Sequence, residues 1–182
     1  MLDEIVADAE ESMDKAVESF NRDLSKLRTG RANLQMLDGI RVEYYGTPSP
    51  LNQVASLNIP DPRLITIKPW DKTLLTAVEK AIVGSNLGLT PNNDGELIRL
   101  PIPPLTGERR QDLVKQLKRQ AEDGRISVRN ARRDANAMIK DLEGESEDAQ
   151  HRTLKDIQDL TDKVIKRIDE IMAAKEEEIM EV

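Results

Sequence analysis

The spacing of apolar residues divides the 182-residue chain into three parts, and this division most limits its fold. Residues 1–30 and 105–182 place apolar side chains every three or four positions, the spacing of an α-helix that buries one face. Residues 31–104 contain alternating stretches, several prolines and one short helical stretch. The ends are therefore predicted to form long helices, and the middle a separate compact unit.

Three long helices follow from the apolar stripes. The first is predicted to stop at Gly30, because glycine readily adopts the left-handed conformation that ends helices. The second begins after Thr106, a residue type that caps helices, and the third follows a polar turn at residues 143–148. The three stripes consist of Val6, Ala9, Met13, Val17, Phe20, Leu24 and Leu27; Leu113, Leu117, Ala121, Gly124, Val128, Ala131, Ala135, Met138 and Leu142; and Leu154, Ile157, Leu160, Val164, Ile168 and Ile171.

The middle part is predicted to be a small β/α domain. Ile40, Val42 and Tyr44 alternate with more polar residues, as in a half-buried strand. A helix is predicted from Leu74 to Gly84. Turns are predicted at residues 60–62 and 92–95, where proline, asparagine, aspartate and glycine cluster. The other predicted strands are Leu51–Ile59, Leu64–Lys68 and Glu96–Ile102.

These elements predict an α+β protein in which one domain interrupts another. Residues 1–30 and 105–182 share a three-helix bundle, and residues 31–104 form the inserted β/α domain. Two short connections join them, and both lie at the same place. Such a pair permits rotation but limits separation, so a hinge is predicted. Its residues are Gly30, Arg31, Pro103, Pro104 and Leu105.

The composition excludes most enzymatic chemistry. The chain has no cysteine, and its single histidine, His151, lies in the polar start of the third helix, so we predict no thiolate zinc site, no two-histidine metal site and no histidine-based triad. No glycine-rich phosphate-binding loop occurs. We therefore predict a protein that is not an enzyme and needs no metal or cofactor. An unrecognised hydrolase remains the alternative, which a lack of turnover with ester and phosphoester substrates would dismiss.

Nothing in the sequence predicts a membrane segment or export. No run of about 18 apolar residues occurs, and the first residues show neither a signal nor a transit pattern. We expect a monomer in the cytoplasm.

The net charge of −7 hides an uneven distribution. Residues 1–30 carry 4 basic and 8 acidic groups, residues 31–104 carry 7 of each, and residues 141–182 carry 6 basic and 14 acidic groups. Residues 105–140 carry 10 basic and 5 acidic groups, so they alone are positive. A local positive stretch in an acidic protein indicates a surface for a polyanion.

The positive charges of the second helix line up along one side. On a helical wheel Lys118, Arg125, Arg129 and Arg132 fall within about 60°, with Glu122 interrupting them. Lys115, Arg133 and Lys140 broaden this row, and Arg109 and Arg110 extend it toward the predicted hinge. Arginine suits phosphate oxygens and stacks on bases, so the row favours binding of structured RNA by backbone and shape. The alternative is a solvated face whose cations pair with acidic residues of neighbouring helices.

The aromatic residues do not decide the function. Tyr44 and Tyr45 are more typical of strand packing than of a base-stacking platform. Trp70 follows a strand, and both a core position and an exposed partner contact remain open for it.

Five blocks of the sequence resemble the ribosome recycling factor family. They occur in the family's order, and the resemblance as a whole covers essentially the entire chain. The blocks are Leu-Arg-Thr-Gly-Arg-Ala (27–32), Asp-Gly-Ile-Arg-Val-Glu-Tyr-Tyr-Gly-Thr-Pro-Ser-Pro-Leu (38–51), Ala-Val-Glu-Lys-Ala-Ile (77–82), Pro-Pro-Leu-Thr-Gly-Glu-Arg-Arg (103–110) and Val-Arg-Asn-Ala-Arg-Arg-Asp-Ala-Asn (128–136).

The resemblance implies an L-shaped protein whose helical arm binds the large ribosomal subunit. The family's arginines contact ribosomal RNA, and those that match here are Arg110, Arg129 and Arg132. The resemblance also implies that the protein acts with elongation factor G and GTP to split the ribosome into subunits after termination. The GTP would belong to the partner.

Two positions depart from the family pattern. Gly107 stands where an acidic residue is common, and Thr76 where proline is common. Gly107 is expected to loosen the start of the second long helix, because glycine is a poor helix former.

A coiled-coil adaptor or chaperone, a different class of protein, is the competing prediction for the function. It predicts exposed apolar residues at the bundle tip and little effect of salt on binding, whereas RNA binding weakens steeply with salt.

Overall fold

The computed structural model describes residues 1–181 and contains two compact units. The first comprises Met1–Leu27 and the chain from Gly107 onward, and the second is Arg28–Thr106. The helices are α1 (Leu2–Ser25), α2 (Leu51–Val54), α3 (Leu75–Gly84), α4 (Gly107–Lys140) and α5 (Glu147–Met180). The strands are β1 (Arg41–Tyr44), β2 (Thr47–Pro50), β3 (Ala55–Asp61), β4 (Leu64–Pro69), β5 (Asn92–Asn93) and β6 (Ile98–Pro101). The predicted α+β class is confirmed.

The first unit is a bundle of three long helices that share one core. α4 runs antiparallel to α5, since Arg110 near the start of α4 contacts Met180 at the end of α5. Ser146 caps α5 by accepting a hydrogen bond from the Ala149 N–H at 3.2 Å. The buried positions are Ile5, Ala9, Met13, Val17, Phe20 and Leu24 in α1; Leu113, Leu117, Ala121, Gly124, Val128, Ala135 and Ile139 in α4; and Thr153, Ile157, Thr161, Val164, Ile168 and Ile179 in α5.

Two parts of the predicted stripes are wrong. Met138 is 55% exposed, and Ile139 is buried in its place. Steps of three and of four both keep a residue on one side of a helix, so the pattern alone could not choose between Met138 and Ile139. In α5 the core includes Thr153 and Thr161, which a purely apolar pattern omits. Each hydroxyl donates to the carbonyl four residues earlier, so burial leaves it satisfied.

The first helix ends at Ser25, earlier than the predicted Gly30. The N–H groups of Lys26 and Leu27 still bond to carbonyls three residues back, in a tighter final turn. The chain then enters the second unit, where the Arg28 guanidinium donates to the Leu87 carbonyl at 2.8 Å. The helix thus ends five residues before the predicted glycine.

The second unit contains two antiparallel sheets and α3. β1 pairs with β2 in a hairpin, and the other sheet has the order β3-β4-β6-β5. The hairpin turn is Tyr45–Gly46, both with positive φ, as a two-residue hairpin turn requires. The core between the sheets and α3 includes Val42, Ile65 and Ile98.

Several predicted boundaries in this unit are corrected. The predicted strand Leu51–Ile59 is in fact the short helix α2 followed by β3. The proline-containing stretch Thr47–Pro50, which was not among the predicted strands, is β2. A two-stranded hairpin leaves each strand with one edge unpaired, so a proline without an N–H is tolerated there. The last strand is shorter than Glu96–Ile102 and pairs with Asn92–Asn93, which had been predicted as part of a turn.

The turn before β6 is organised by Asp94. Its carboxylate accepts hydrogen bonds from the N–H groups of Glu96 and Leu97, both at 2.9 Å, and from the Arg99 side chain. The backbone hydrogen bonds, with the Arg99 contact, lower the pKa of Asp94 to about 2. The Asp94 carboxylate is therefore ionised, and able to accept these hydrogen bonds, at pH values well above 2.

We expect Asp94 to make the second unit acid-sensitive. A carboxylate with a lowered folded-state pKa stabilises the fold above its unfolded pKa near 3.8, and this contribution disappears as the pH falls through about 2. Asp94→Asn should therefore flatten the decline in urea stability between pH 4 and pH 2. Asp61→Asn is the matched control, since Asp61 accepts one turn N–H, from Arg63. An equal decline in the wild type and in Asp94→Asn would contradict this role.

Candidate nucleic-acid interface

α4 carries cations on one side and carboxylates on another. At about 100° per residue the two groups fall in sectors that lie on different sides of the core stripe. The exposed or half-exposed cations are Lys115, Lys118, Arg119, Arg129, Arg132, Arg133 and Lys140. The exposed carboxylates of the other sector are Asp112, Asp123 and Asp134. Arg119 was not among the predicted binding residues, although the same wheel places it at the edge of the basic side.

Part of the basic row lies along the seam between α4 and α5. Lys118 Nζ is 3.6 Å from a carboxylate oxygen of Glu176, in an exposed ion pair. Arg132 Nη1 donates to Gln158 Oε1 at 3.2 Å, again at the surface. Single exposed pairs of this kind contribute little to stability, so both cations remain available to another anion.

Arg125 is held more firmly than the rest of the row. Its side chain is 18% exposed, and its Nη2 lies 2.6 Å from Asp169 Oδ1 of α5. Nη1 donates to Glu122 at 3.1 Å. Burial acts to lower the pKa of Arg125, but the hydrogen bonds that it donates to Asp169 and Glu122 outweigh burial and raise the pKa. Arg125 thereby ties α4 to α5.

Glu122, which interrupts the predicted row, organises the arginines around it. One carboxylate oxygen accepts a hydrogen bond from Arg129 at 2.9 Å, and the other accepts one from Arg125 at 3.1 Å. The hydrogen bond from Arg129, followed by that from Arg125, lowers the pKa of Glu122. Arg129 is 40% exposed despite this pair. Arg133 is exposed and makes no side-chain hydrogen bond or ion pair within residues 1–181.

Arg110 lies away from the others, near the start of α4. Its Nη1 donates to the carbonyls of Met180 at 3.0 Å and Glu181 at 2.8 Å. These carbonyls belong to the end of α5, where a helix has unsatisfied acceptors and a partial negative charge. Arg110 therefore caps α5.

The six residues predicted to bind RNA differ in the contacts that their side chains already make within the protein. The alternative prediction, pairing with acidic neighbours, describes Arg125 and Lys118. Arg110 binds main-chain carbonyls. Within the part of the chain that the structure describes, the Arg133 side chain makes no such contact, Arg132 makes one exposed hydrogen bond to Gln158, and Arg129 pairs with Glu122 of its own helix but stays 40% exposed. Their binding of RNA stays a prediction.

The two predicted hinge segments lie side by side. Gly30 has a φ of +78°, and a Cβ built on it would come within 3.0 Å of Leu105 Cγ and 3.6 Å of the Leu105 nitrogen. Pro103 and Pro104 are exposed beside them, and Arg31 is exposed as well. Only glycine combines this backbone conformation with so close an approach.

We expect Gly30→Ala to destabilise the protein by about 1–3 kcal/mol, from the strained backbone and the contact with Leu105 together. Gly39→Ala is the matched control: its φ is +86°, but an added Cβ meets nothing within 4 Å. Urea unfolding of both variants separates the two causes. Equal losses in the two would show that the Leu105 contact contributes nothing.

Within residues 1–181 no group of three or more acidic or histidine side chains is arranged to hold a metal ion. No helix among these residues is both long and apolar enough to cross a membrane.

Comparison with known proteins decides the family. A model of the family described as ribosome recycling factor matches residues 20–180. The chain belongs to the ribosome recycling factor family. The ribosome-recycling factor of Symbiobacterium thermophilum is 53% identical over all of both chains. That of Nitratidesulfovibrio vulgaris is 50% identical and covers all of this chain and 99% of its own.

Solved structures of the family have the same fold. A solution structure of a ribosome recycling factor superposes with a TM-score of 0.78 at 45% identity, covering all of this chain. A second, at 44% identity and a TM-score of 0.66, shows the Thermus thermophilus factor with the Escherichia coli elongation factor G bound to the E. coli post-termination complex. Members of this family are translation factors and not enzymes, so the prediction of a non-enzymatic role is confirmed.

Proposed function

We propose that this protein binds the ribosome after termination and, with elongation factor G and GTP, promotes its separation into subunits. Membership of the family and the relative bound to a post-termination complex with elongation factor G support this proposal. The single observation that carries it in this chain is the exposed row of arginines on α4. The protein needs no chemistry of its own, because binding energy and the partner's GTP hydrolysis supply the work.

The helical bundle is the proposed RNA-binding arm, and ribosomal RNA of the large subunit is its proposed target. Arg129, Arg132 and Arg133 contact phosphates or bases directly: Arg133 makes no side-chain contact of its own within residues 1–181, Arg132 makes one exposed hydrogen bond, and Arg129 stays 40% exposed beside Glu122. Lys118 adds charge to the same surface. Arg125 and Arg110 act mainly by positioning, because each already holds α5. Arginine can stack on bases and donate two parallel hydrogen bonds to a phosphate, so it suits structured RNA.

The second unit is proposed to move relative to the bundle during splitting. The connections at Gly30 and Arg31 and at Pro103, Pro104 and Leu105 would serve as the hinge. Elongation factor G would bind the second unit or the hinge region and drive its rotation. The proposed location is the cytoplasm, with the protein acting as a monomer.

Gradient sedimentation of post-termination ribosomes tests the proposal. This protein, elongation factor G and GTP are added singly, in pairs and together. Free subunits should appear only with all three. Co-sedimentation over a salt series tests the arm, since an RNA interface loses affinity steeply as salt rises. Subunit separation that does not require this protein, or binding that salt leaves unchanged, would refute the proposed function.

A further inference from the structure

A second surface of the bundle lies between α1 and α4, at the end where α1 begins and α4 ends. Two adjoining depressions there have volumes of about 390 and 680 Å³. Both are lined by Ile5, Asp8, Asp134 and Met138, so they form one continuous groove, here called the tip groove. Along α4 it extends from Ser127 to Leu142, which corresponds to roughly 20 Å of helix.

The floor of the tip groove is apolar and partly open to solvent. It is formed by Ile5 and Ala9 of α1 and by Ala131, Ala135 and Met138 of α4. Alanines keep the two helices close and leave the depression shallow. Met138 is 55% exposed, although the apolar pattern of α4 had placed it in the core. A flexible, polarisable methionine on an open apolar floor is typical of surfaces that accept a partner's side chains.

The rim of the tip groove is acidic from both helices. α1 contributes Glu4 and Asp8, α4 contributes Asp134, and Asp141 follows directly after the end of α4. Within residues 1–181 the side chains of Asp8, Asp134 and Asp141 make no hydrogen bond or ion pair. Among the lining residues, Met1 carries the N-terminal ammonium, which lies 3.5 Å from a carboxylate oxygen of Glu4 and compensates that carboxylate. Asp8, Asp134 and Asp141 therefore create a negative field over an apolar floor, with no lysine or arginine in the lining to compensate it.

This combination selects one class of partner. Phosphates would be repelled by the rim, so RNA is disfavoured on this side of α4, whereas the opposite side carries the arginine row. A lysine- or arginine-rich protein segment with interspersed apolar side chains matches both features: its cations meet the carboxylates and its apolar side chains cover Met138 and the alanines. An extended segment of about six residues spans the available length.

We propose that the tip groove docks a basic, partly apolar segment of a protein on the ribosome. The inference rests on the proposed function in placing that protein there. The coiled-coil adaptor alternative predicted exposed apolar residues at the bundle tip, and Met138 is such a residue. α4 thus serves two partners, with RNA on the arginine side and protein on the carboxylate side.

A peptide assay on the isolated protein tests the groove without any ribosome. The probe is a fluorescein-labelled eight-residue peptide of alternating lysine and leucine, followed by anisotropy. Asp134→Asn with Asp141→Asn should weaken its binding by about five-fold or more, from the loss of two ion pairs. The control Asp112→Asn with Asp123→Asn removes the same charge from α4 outside the groove and should change binding less than two-fold. Equal effects of the two pairs would overturn the site.

Photo-crosslinking on ribosomes tests the partner. Benzoylphenylalanine is placed at Met138 in the groove and, as a matched control, at Ile126, which is 45% exposed on the basic side of α4. Met138 should crosslink to a ribosomal protein segment in which lysine and arginine outnumber acidic residues, and Ile126 to RNA. The Asp134→Asn, Asp141→Asn pair should lower the Met138 yield several-fold while co-sedimentation persists.

The two proposals fail in different ways. Crosslinks from Met138 to RNA, to a second copy of this chain or to nothing, while Ile126 crosslinks to RNA, overturn the groove and leave the proposed function intact. Loss of co-sedimentation for the unsubstituted protein refutes the proposed function, and the peptide assay then decides the groove by itself.

Discussion

Replacing Arg129, Arg132 and Arg133 together by glutamine should weaken ribosome binding by about 100-fold or more. Each charge-assisted contact to phosphate contributes about 1 kcal/mol or more, and three such contacts multiply to this factor. Glutamine is a similarly good helix former and stays polar, so the bundle should still form. Co-sedimentation with large subunits at several salt concentrations gives the affinity and its salt dependence together.

The matched control removes three positive charges from the other helix. Lys155, Lys163 and Lys166 lie exposed on α5, and their replacement by glutamine gives the same net charge. This variant should lose less than about five-fold in affinity, because distant charges are screened at physiological salt. The arginine variant should also lower the slope of log affinity against log salt by about 2–3, one phosphate for each lost contact. Parallel behaviour of the two variants would mean that overall charge and not the arginine row determines binding.

Arg125 tests whether binding and bundle packing can be separated. It is the most buried member of the row, and its partner Asp169 lies on α5. Asp169→Asn should therefore affect thermal stability more than ribosome binding. Unchanged thermal stability with loss of ribosome binding would instead indicate that Arg125 contacts RNA.

The large elements were predictable because each depends on a local rule. A long stripe at helical spacing permits few structures, and glycine or proline marks most interruptions. The same rules failed where the decision depended on a distant contact. Pro48 and Pro50 look like a break, yet β1 pairs with that stretch and makes it a strand. α1 also stops before Gly30, and just beyond its end Arg28 contacts Leu87, 59 positions later in the chain.

The site was predictable as a charge pattern but not as a set of contacts. The wheel placed most cations of α4 along one side, since that follows from α4 alone, but Arg110, predicted to extend the row, lies away from it. The wheel could not show that Arg125 pairs with Asp169 or that Arg110 donates to the carbonyls at the end of α5, because those contacts depend on how α5 packs. The tip groove was missed for the same reason: Met138 satisfied the apolar spacing, and only the packing of α1 leaves it exposed.

Shortening the proposed hinge should abolish subunit separation while leaving ribosome binding within about two-fold. Deleting Pro103 and Pro104 removes about 6–7 Å of connecting chain and none of the arginine row. If rotation of the second unit performs the work, a shortened connection restricts it after the arm has bound. The measurement is the same gradient sedimentation with elongation factor G and GTP, together with co-sedimentation of the variant in their absence.

The control is Pro103→Ala with Pro104→Ala, which keeps the length and removes only the fixed backbone angle of proline. It should split ribosomes at close to the normal rate. A deletion variant that binds and still splits would show that movement at this connection is not required, and the arm alone would then carry the function. Loss of binding in the deletion variant would show instead that the connection contributes to the orientation of α4, whose first residue, Gly107, follows it after only two more positions. Thermal unfolding of the variant identifies that case, because a misplaced start of α4 would also loosen the contact of Arg110 with the end of α5.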